Sequence, residues 1–475
     1  LRAVADEFVH RGVVEGFYGP PFAHADRLWL VERMGRWGMN RYVHAPKDDP
    51  LHRAQWRTPY PEDALAEFAE LVAAGAKAGV EVGFAVSPGL SIEYAKAEDR
   101  RALVGKLLAF RERGARFFTL ALDDVPSELV HAADRRAFRS LAEAHVSLAH
   151  ALCEALGPEC CLWLVPTDYM GAEATAYLEE MGESLDPAVE VGWTGRTVVS
   201  PSITTAEAER RAATLRRRLL LWDNVPVSDG PMRPVLHLGP LRGRDPGLAT
   251  HVCGALMNPM QRAHASAVAL RTAADYLRDP AGYDPDSAWA AAVGECGAGA
   301  PEAFALFAAA HRFSALAPGD RDGELEGAID AVRGGRAPAA SLVPLLEARR
   351  DAAPTLRDGL ADRALAAEIE PWLASHGDET RRMLAAAALL ETLESGASRL
   401  AQAIAFLAME GKLTRIPLPA AASYGPRRAV YPQFACLQDA AAALGDDPAL
   451  FLDRCLADEL VRFAEEQALA RLRAG

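Results

Sequence analysis

No uninterrupted apolar run in this chain reaches the ~20 residues that a membrane-spanning helix needs. The opening LRAVADEFVH has neither the basic start nor the apolar core of a secretory signal, so a cytoplasmic protein is expected. Cysteine is sparse: seven residues, odd in number, with Cys160 and Cys161 adjacent and no CxxC pair that would suggest a metal or redox motif. Buried free thiols in a reducing compartment fit that pattern. Positive charge is in deficit, with 51 Lys and Arg against 65 Asp and Glu and a net charge of −14. That balance argues against a nucleic-acid footprint or an anionic membrane surface as partner. No glycine-rich fingerprint follows the first β-rich run, which disfavours a dinucleotide-binding sheet.

What the chain has is alternation. β-rich runs at Gly12–Tyr18, Asn40–Ala45, Glu81–Ser87, Phe117–Asp123, Cys161–Thr167, Val189–Thr194, Leu219–Asn224 and Thr250–Met257 are nearly all apolar, as strands covered on both faces should be. Between them, His24–Trp37, Pro61–Ala78, Arg100–Arg113, Arg135–Leu156 and Thr205–Arg218 carry helical periodicity. The expected fold is α/β: a (β/α)8 TIM barrel over residues 1–277, followed by an all-α helical-bundle domain over 278–475. At the junction, Asp286 or Ser287 in RDPAGYDPDSAW is placed to cap the following helix. Gly297–Glu302 reads as an interhelix turn. The proline-rich stretch Ile416–Gln433 cannot be continuous helix, and its expected role is an ordinary loop, with a cleft or dimer contact as the functional alternative.

In such a barrel the active site forms where strands end at their carboxyl side. Those ends here carry Gly16, Lys47, Asp123 and Asp124, Tyr169, Thr194, Trp222, Asn224 and Asn258, with Asp229 shortly after Asn224. A purely structural barrel has no reason to finish nearly every apolar strand on a polar group, since each costs desolvation. Of the adjacent Asp pairs, Asp446-Asp447 and Asp48-Asp49 read as turn chemistry. Only Asp123-Asp124 follows directly from a buried run. Neighbours in a regular strand face opposite ways, so both reach one site only if the strand stops there. Two carboxylates so close resist joint ionisation, and one should hold its proton near neutral pH, as glycosidic cleavage requires. No His or further carboxylate stands nearby at ligand spacing, so no metal is expected, and no cofactor either.

The motifs VVEGFYGPPF, YVHAPKDDPLHRAQWRTPYP, LALDDVP, VPTDY, GWTG, WDNVPVSD and NPM, in this order over residues 12–275, resemble glycoside hydrolase family 84. That family comprises bacterial and animal O-GlcNAcases and hyaluronidase-named relatives. The resemblance implies a retaining, substrate-assisted β-N-acetylglucosaminidase in which the sugar's 2-acetamido oxygen attacks its own anomeric carbon to give an oxazoline. Asp123 then matches the residue that holds the acetamido N–H, and Asp124 the general acid and later base. Gly16 would offer its carbonyl to a ring hydroxyl. Lys47, Asp229 and Asn258 would bind ring hydroxyls, Asn224 would support the acetamido contacts, and Tyr169 would bond the oxazoline region. Thr194 and Trp222 would shape the methyl pocket. His44, Trp56 and Tyr60 are expected to be structural. Asp168 departs from the Glu that relatives often carry.

The expected substrate is a GlcNAc-bearing glycoprotein or glycoconjugate, with glycans and cell-wall fragments as the alternative. A homodimer through the helical region is left open. A non-catalytic sugar-binding barrel is the competing class, although decayed enzymes commonly lose the acid and both aspartates stand here. The DxxDxDxE strand of family 18 chitinases is absent.

Overall fold

The computed structural model of the protein describes residues 7–314, 316–395 and 456–474. Its contacts divide the described chain into two units, the first made of residues up to 230 and 240–288, the second of 231–239 and the described residues from 289 onward. The break therefore lies after Ala288 and not at 277, and a short segment before Pro240 belongs with the second unit. The stretch 416–433 and the Asp446-Asp447 pair lie outside the described residues.

The first unit is a closed, all-parallel barrel of eight strands in sequence order. The strands are β1 (His10–Glu15), β2 (Arg41–His44), β3 (Glu81–Val86), β4 (Phe117–Ala121), β5 (Cys161–Val165), β6 (Glu190–Trp193), β7 (Leu219–Asp223) and β8 (Val252–Met257). Seven of the expected runs contain one, and β1 overlaps its run but starts two residues before Gly12. Several stop short of the expected end, because the polar residues there leave the ladder to enter the barrel mouth. Inward side chains such as Val14, Val43, Phe117, Trp163, Leu220 and Leu256 fill the interior, so the barrel is a packed core and not a pore.

The connecting helices are α1 (His24–Arg36), α2 (Glu62–Ala78), α3 (Ala97–Glu112), α4 (Ala132–Ala137), α5 (Leu141–Leu156), α6 (Ala176–Ser184), α7 (Thr205–Leu215) and α8 (Ala263–Arg278). The single helix expected over Arg135–Leu156 is two, because Ser140 is extended and its hydroxyl accepts from Glu143 N to start α5 afresh. Helix α7 opens on a capping box of Thr204 and Glu207. Helix α8 is buried along nearly all of its length.

Past the barrel come α9 (Pro285–Cys296), α10 (Pro301–Ala310), α11 (Gly323–Arg333), α12 (Val343–Gly359), α13 (Arg363–Glu394) and α14 (Leu456–Ala474). The cap of α9 is Asp284, whose carboxylate accepts from Ser287 N at 2.8 Å, so the expectation of Asp286 or Ser287 is corrected by two to three residues. Gly297–Glu302 holds the turn between α9 and α10. Leu325, Ile329, Leu346, Met383, Leu390, Leu460 and Ala464 form an apolar core shared by α11 to α14. Among the described residues no helix is long and apolar enough to cross a membrane.

Candidate active site

A cleft of about 620 Å³, part of it open to solvent, lies at the carboxyl ends of the strands. Gly16, Lys47, Asp123, Asp124, Tyr169, Thr194, Trp222, Asn224, Asp229 and Asn258 all line it, so the strand ends singled out in the sequence converge in space. Tyr18, Val165, Val198, Val199 and Val227 complete the lining.

Strand β4 stops at Ala121, and Asp124 adopts a left-handed backbone with φ +53°. A non-glycine residue pays for that conformation with about 1 kcal/mol or more of strain, which persists only where the surroundings hold it. Here it turns both neighbouring carboxylates into the same cleft, which a continuing strand would forbid. The two then meet different surroundings. Asp123 forms a buried ion pair with Lys47 through Oδ2, while its Oδ1 is buried without a hydrogen-bond partner. Burial alone would raise the Asp123 carboxyl, but the charges of Lys47 and Arg53 outweigh it and hold the group below the usual range. Asp124 accepts from the hydroxyls of Tyr18 at 2.7 Å and Tyr169 at 2.9 Å, one to each oxygen. Burial and the charge of Asp123 push its carboxyl up. The pair is thus split into an ionised member and one that retains its proton more readily.

The opposite wall is built on β7, β8 and the end of β1. Trp222 Nε1 donates to Asn224 Oδ1 at 3.1 Å, and Asn258 Nδ2 donates to the same oxygen at 2.8 Å. Asn258 Oδ1 accepts from Gly16 N at 3.2 Å. Asn224 Nδ2 donates to Val198 O at 2.6 Å, which ties this wall to the loop after β6. Thr194 sends its hydroxyl to Thr197 O at 3.1 Å, so it shapes the cleft chiefly by holding that loop. Asp229 accepts from Tyr18 N at 2.7 Å. Burial, opposed by that N–H and assisted by the charges of Asp124 and Asp48, raises its carboxyl to about 6.

Tyr18 and Arg53 were not among the residues singled out, although both lie inside quoted motifs. Tyr18 sits on a loop held by Asp229 and by Gln261, whose side chain donates to its carbonyl. Arg53 donates to the Tyr18 hydroxyl at 2.9 Å and to the Asp124 carbonyl at 3.0 Å. Neither follows a strand directly, so only their place in the Tyr18 and Lys47 loops could have drawn attention. Buried Arg211 on α7 donates to the carbonyls of Asp168, Met170 and Gly171 and so fixes the loop that carries Tyr169. The residues expected to be structural behave so: His44 lies 3.6 Å from Glu15, Trp56 bonds Ser91, and Tyr60 bonds Asp49. Asp49 also accepts from Leu51 N, the turn chemistry expected there, whereas Asp48 accepts from Gly19 N at 3.0 Å and ties the loop after β2 to the loop after β1.

Among the described residues, His10, Glu190 and Cys253 bring one donor atom each within 4.8 Å of one another. They stand at the amino ends of β1, β6 and β8, the far end of the barrel from the cleft. His10 bonds Glu190 at 2.8 Å and Cys253 Sγ bonds Leu219 O, so these groups already serve one another and the backbone.

A parallel eight-stranded barrel whose strand ends gather a split carboxylate pair beside an indole wall is the architecture of a TIM-barrel glycoside hydrolase. A family model described as beta-N-acetylglucosaminidase matches residues 11–309, and the chain belongs to that family, glycoside hydrolase family 84. Over 273 residues it is 35% identical to the protein O-GlcNAcases of Rattus norvegicus and Mus musculus, a stretch that covers 56% of this chain but only 30% of theirs. A mutant O-GlcNAc hydrolase of Thermobaculum terrenum superposes with a TM-score of 0.80 at 29% identity, covering 97% of this chain and 94% of that one. The solved protein CpGH84B superposes with a TM-score of 0.76 over 96% of this chain and 77% of its own, at 24% identity, a likeness of fold.

Proposed function

We propose that this protein is a retaining exo-β-N-acetylglucosaminidase that uses the substrate's own acetamido group as nucleophile. The observation that carries the reading is the split pair: an Asp123 ion-paired with Lys47 whose Oδ1 is buried without a partner, beside an Asp124 held by Tyr18 and Tyr169 that retains its proton more readily. In a bound β-GlcNAc, Asp123 Oδ1 would accept the acetamido N–H and so raise the nucleophilicity of the carbonyl oxygen. An internal nucleophile held this way removes much of the entropy cost of attack. Asp124 would protonate the departing oxygen and then, ionised, take a proton from the water that opens the oxazoline. Lys47, Asp229, Asn258 and the Gly16 carbonyl would bind the ring hydroxyls. Asn224 would brace the acetamido contacts, and Tyr169 would bond the developing oxazoline. Trp222 and Thr194 would close the pocket around the methyl group, where an aromatic face suits an apolar substituent.

The names of the relatives support O-linked GlcNAc of proteins as the substrate. Hydrolysis of an aryl β-N-acetylglucosaminide and its N-trifluoroacetyl analogue tests the reading. Turnover that falls steeply with fluorination supports acetamido participation. Equal rates would point to an enzyme-borne nucleophile, and no turnover by folded protein would leave a sugar-binding barrel.

A further inference from the structure

Arg53 is buried, with 5% of its surface exposed, and it bonds both Tyr18 and the backbone of Asp124. Its two terminal nitrogens reach different parts of the same device: Nη1 donates to the Tyr18 hydroxyl at 2.9 Å, and Nη2 donates to the backbone carbonyl of Asp124 at 3.0 Å. A guanidinium has donors only. The Tyr18 oxygen therefore accepts from Arg53, and its hydroxyl donates to Asp124 Oδ2, 2.7 Å away. A guanidinium bonded to the phenol oxygen favours the orientation in which the hydroxyl donates, and Oδ2 of Asp124 is the oxygen that receives it. At Oδ1 the partner is the Tyr169 hydroxyl at 2.9 Å, and a hydroxyl there can turn from donor to acceptor when Oδ1 carries hydrogen.

We propose that Arg53, acting through Tyr18, is a positioning residue that reserves Asp124 Oδ2 as an acceptor and makes Oδ1 the oxygen that carries and delivers the acid proton. This rests on the glycosidase reading above. The same side chain holds the left-handed turn at Asp124 by its carbonyl, so direction of the carboxyl and location of its proton are set together. When the proton leaves for the glycosidic oxygen, the new carboxylate keeps a charge-backed hydrogen bond at Oδ2, which favours release. Six groups face this carboxyl: Tyr18 from the loop after β1, Lys47 and Arg53 from the loop after β2, Asp123 from the end of β4, Tyr169 from the loop after β5, and Asp229 from beyond β7. Arg53 and Tyr18 are among those that favour the ionised form, against burial and Asp123.

The test is the pH profile of kcat/KM, and its dependence on the leaving group, for wild type, Arg53→Met, Tyr18→Phe and the double variant on aryl β-N-acetylglucosaminides. Both single variants should move the basic limb to higher pH by about one unit. Both should also lose more on poor leaving groups than on activated ones, by about 10- to 100-fold. The double variant should do little more than Arg53→Met alone, because that change already removes the support of Tyr18 together with the bond to the Asp124 carbonyl. Uniform loss at all pH values and leaving groups, or additive losses in the double variant, would overturn the relay. Should Arg53→Met fail to fold, Tyr18→Phe alone decides, since it keeps the ring and removes only the hydroxyl. A folded wild type without turnover would instead remove the glycosidase reading itself, and this inference with it.

Discussion

The indole of Trp222 occupies the space that a side chain on Gly16 would need: a Cβ there would stand 2.1 Å from Trp222 Cζ2. Residues at the ends of β1 and β7, which lie on either side of β8, are thus fitted by the absence of one atom. Gly16→Ala should force the indole or the β1 end aside, costing about 1–3 kcal/mol of stability as overpacking does. Since Gly16 N also donates to Asn258, KM should rise with it. Denaturant unfolding beside steady-state kinetics checks this; an unaltered KM would show that the wall yields without disturbing the cleft.

Asp124→Ala should slow substrates with poor leaving groups by about 10²- to 10⁴-fold and spare activated aryl glycosides relatively more. Asp123→Ala should slow both, because it removes support for the internal nucleophile whatever departs. Equal losses on both substrate types in Asp124→Ala would count against it as the acid.

Lys47→Met breaks a buried ion pair and leaves Asp123 charged without its partner, a change of about 3–5 kcal/mol in comparable cases. Asp123 is depressed in the folded protein, so its contribution to stability is present above the unfolded pKa and lost as pH falls through the folded one. In Lys47→Met burial is opposed by less positive charge and the folded pKa rises, so that acid-side loss should shrink or change sign, and the acidic limb of kcat/KM should move to higher pH. Profiles of stability and rate from pH 3 to pH 7 would show both, with the acidic limb displaced by ~1 unit or more.

Asp229 has the opposite sign. Its folded pKa of about 6 lies above the unfolded value, so the folded state binds the extra proton and stability falls as pH rises between the two. That penalty is of order 3 kcal/mol at most, from ~1.4 kcal/mol for each pH unit between an unfolded pKa of about 3.9 and the folded value. Asp229→Asn should abolish it, so its stability relative to wild type should improve from pH 4 to pH 7 while affinity for the sugar weakens. A stability difference that is flat across that window would remove the raised pKa.

Legibility in the sequence followed burial symmetry. Parallel strands covered on both faces appear as apolar runs such as FFTLAL, so all eight could be placed, and their polar ends gave the lining of the cleft. The expected helices do not include α6 or α8, and α8 is buried along nearly its whole length. The cap of α9 was misplaced because Asp284, Asp286 and Ser287 all suit that role and only the chain's path selects Asp284.

By itself the sequence determined the order of strands and helices, and with it a barrel whose polar strand ends must share one mouth; it also determined the motifs that mark the family. Only the tertiary structure decided which member of the Asp123-Asp124 pair is ionised. Two adjacent aspartates are chemically identical in the chain, and their difference comes from Lys47 on one side and Tyr18, Tyr169 and Arg53 on the other. Those partners arrive from loops after three other strands. A carboxyl's proton affinity is set by the charges and donors within a few ångströms of it, and that neighbourhood exists only once the barrel has closed.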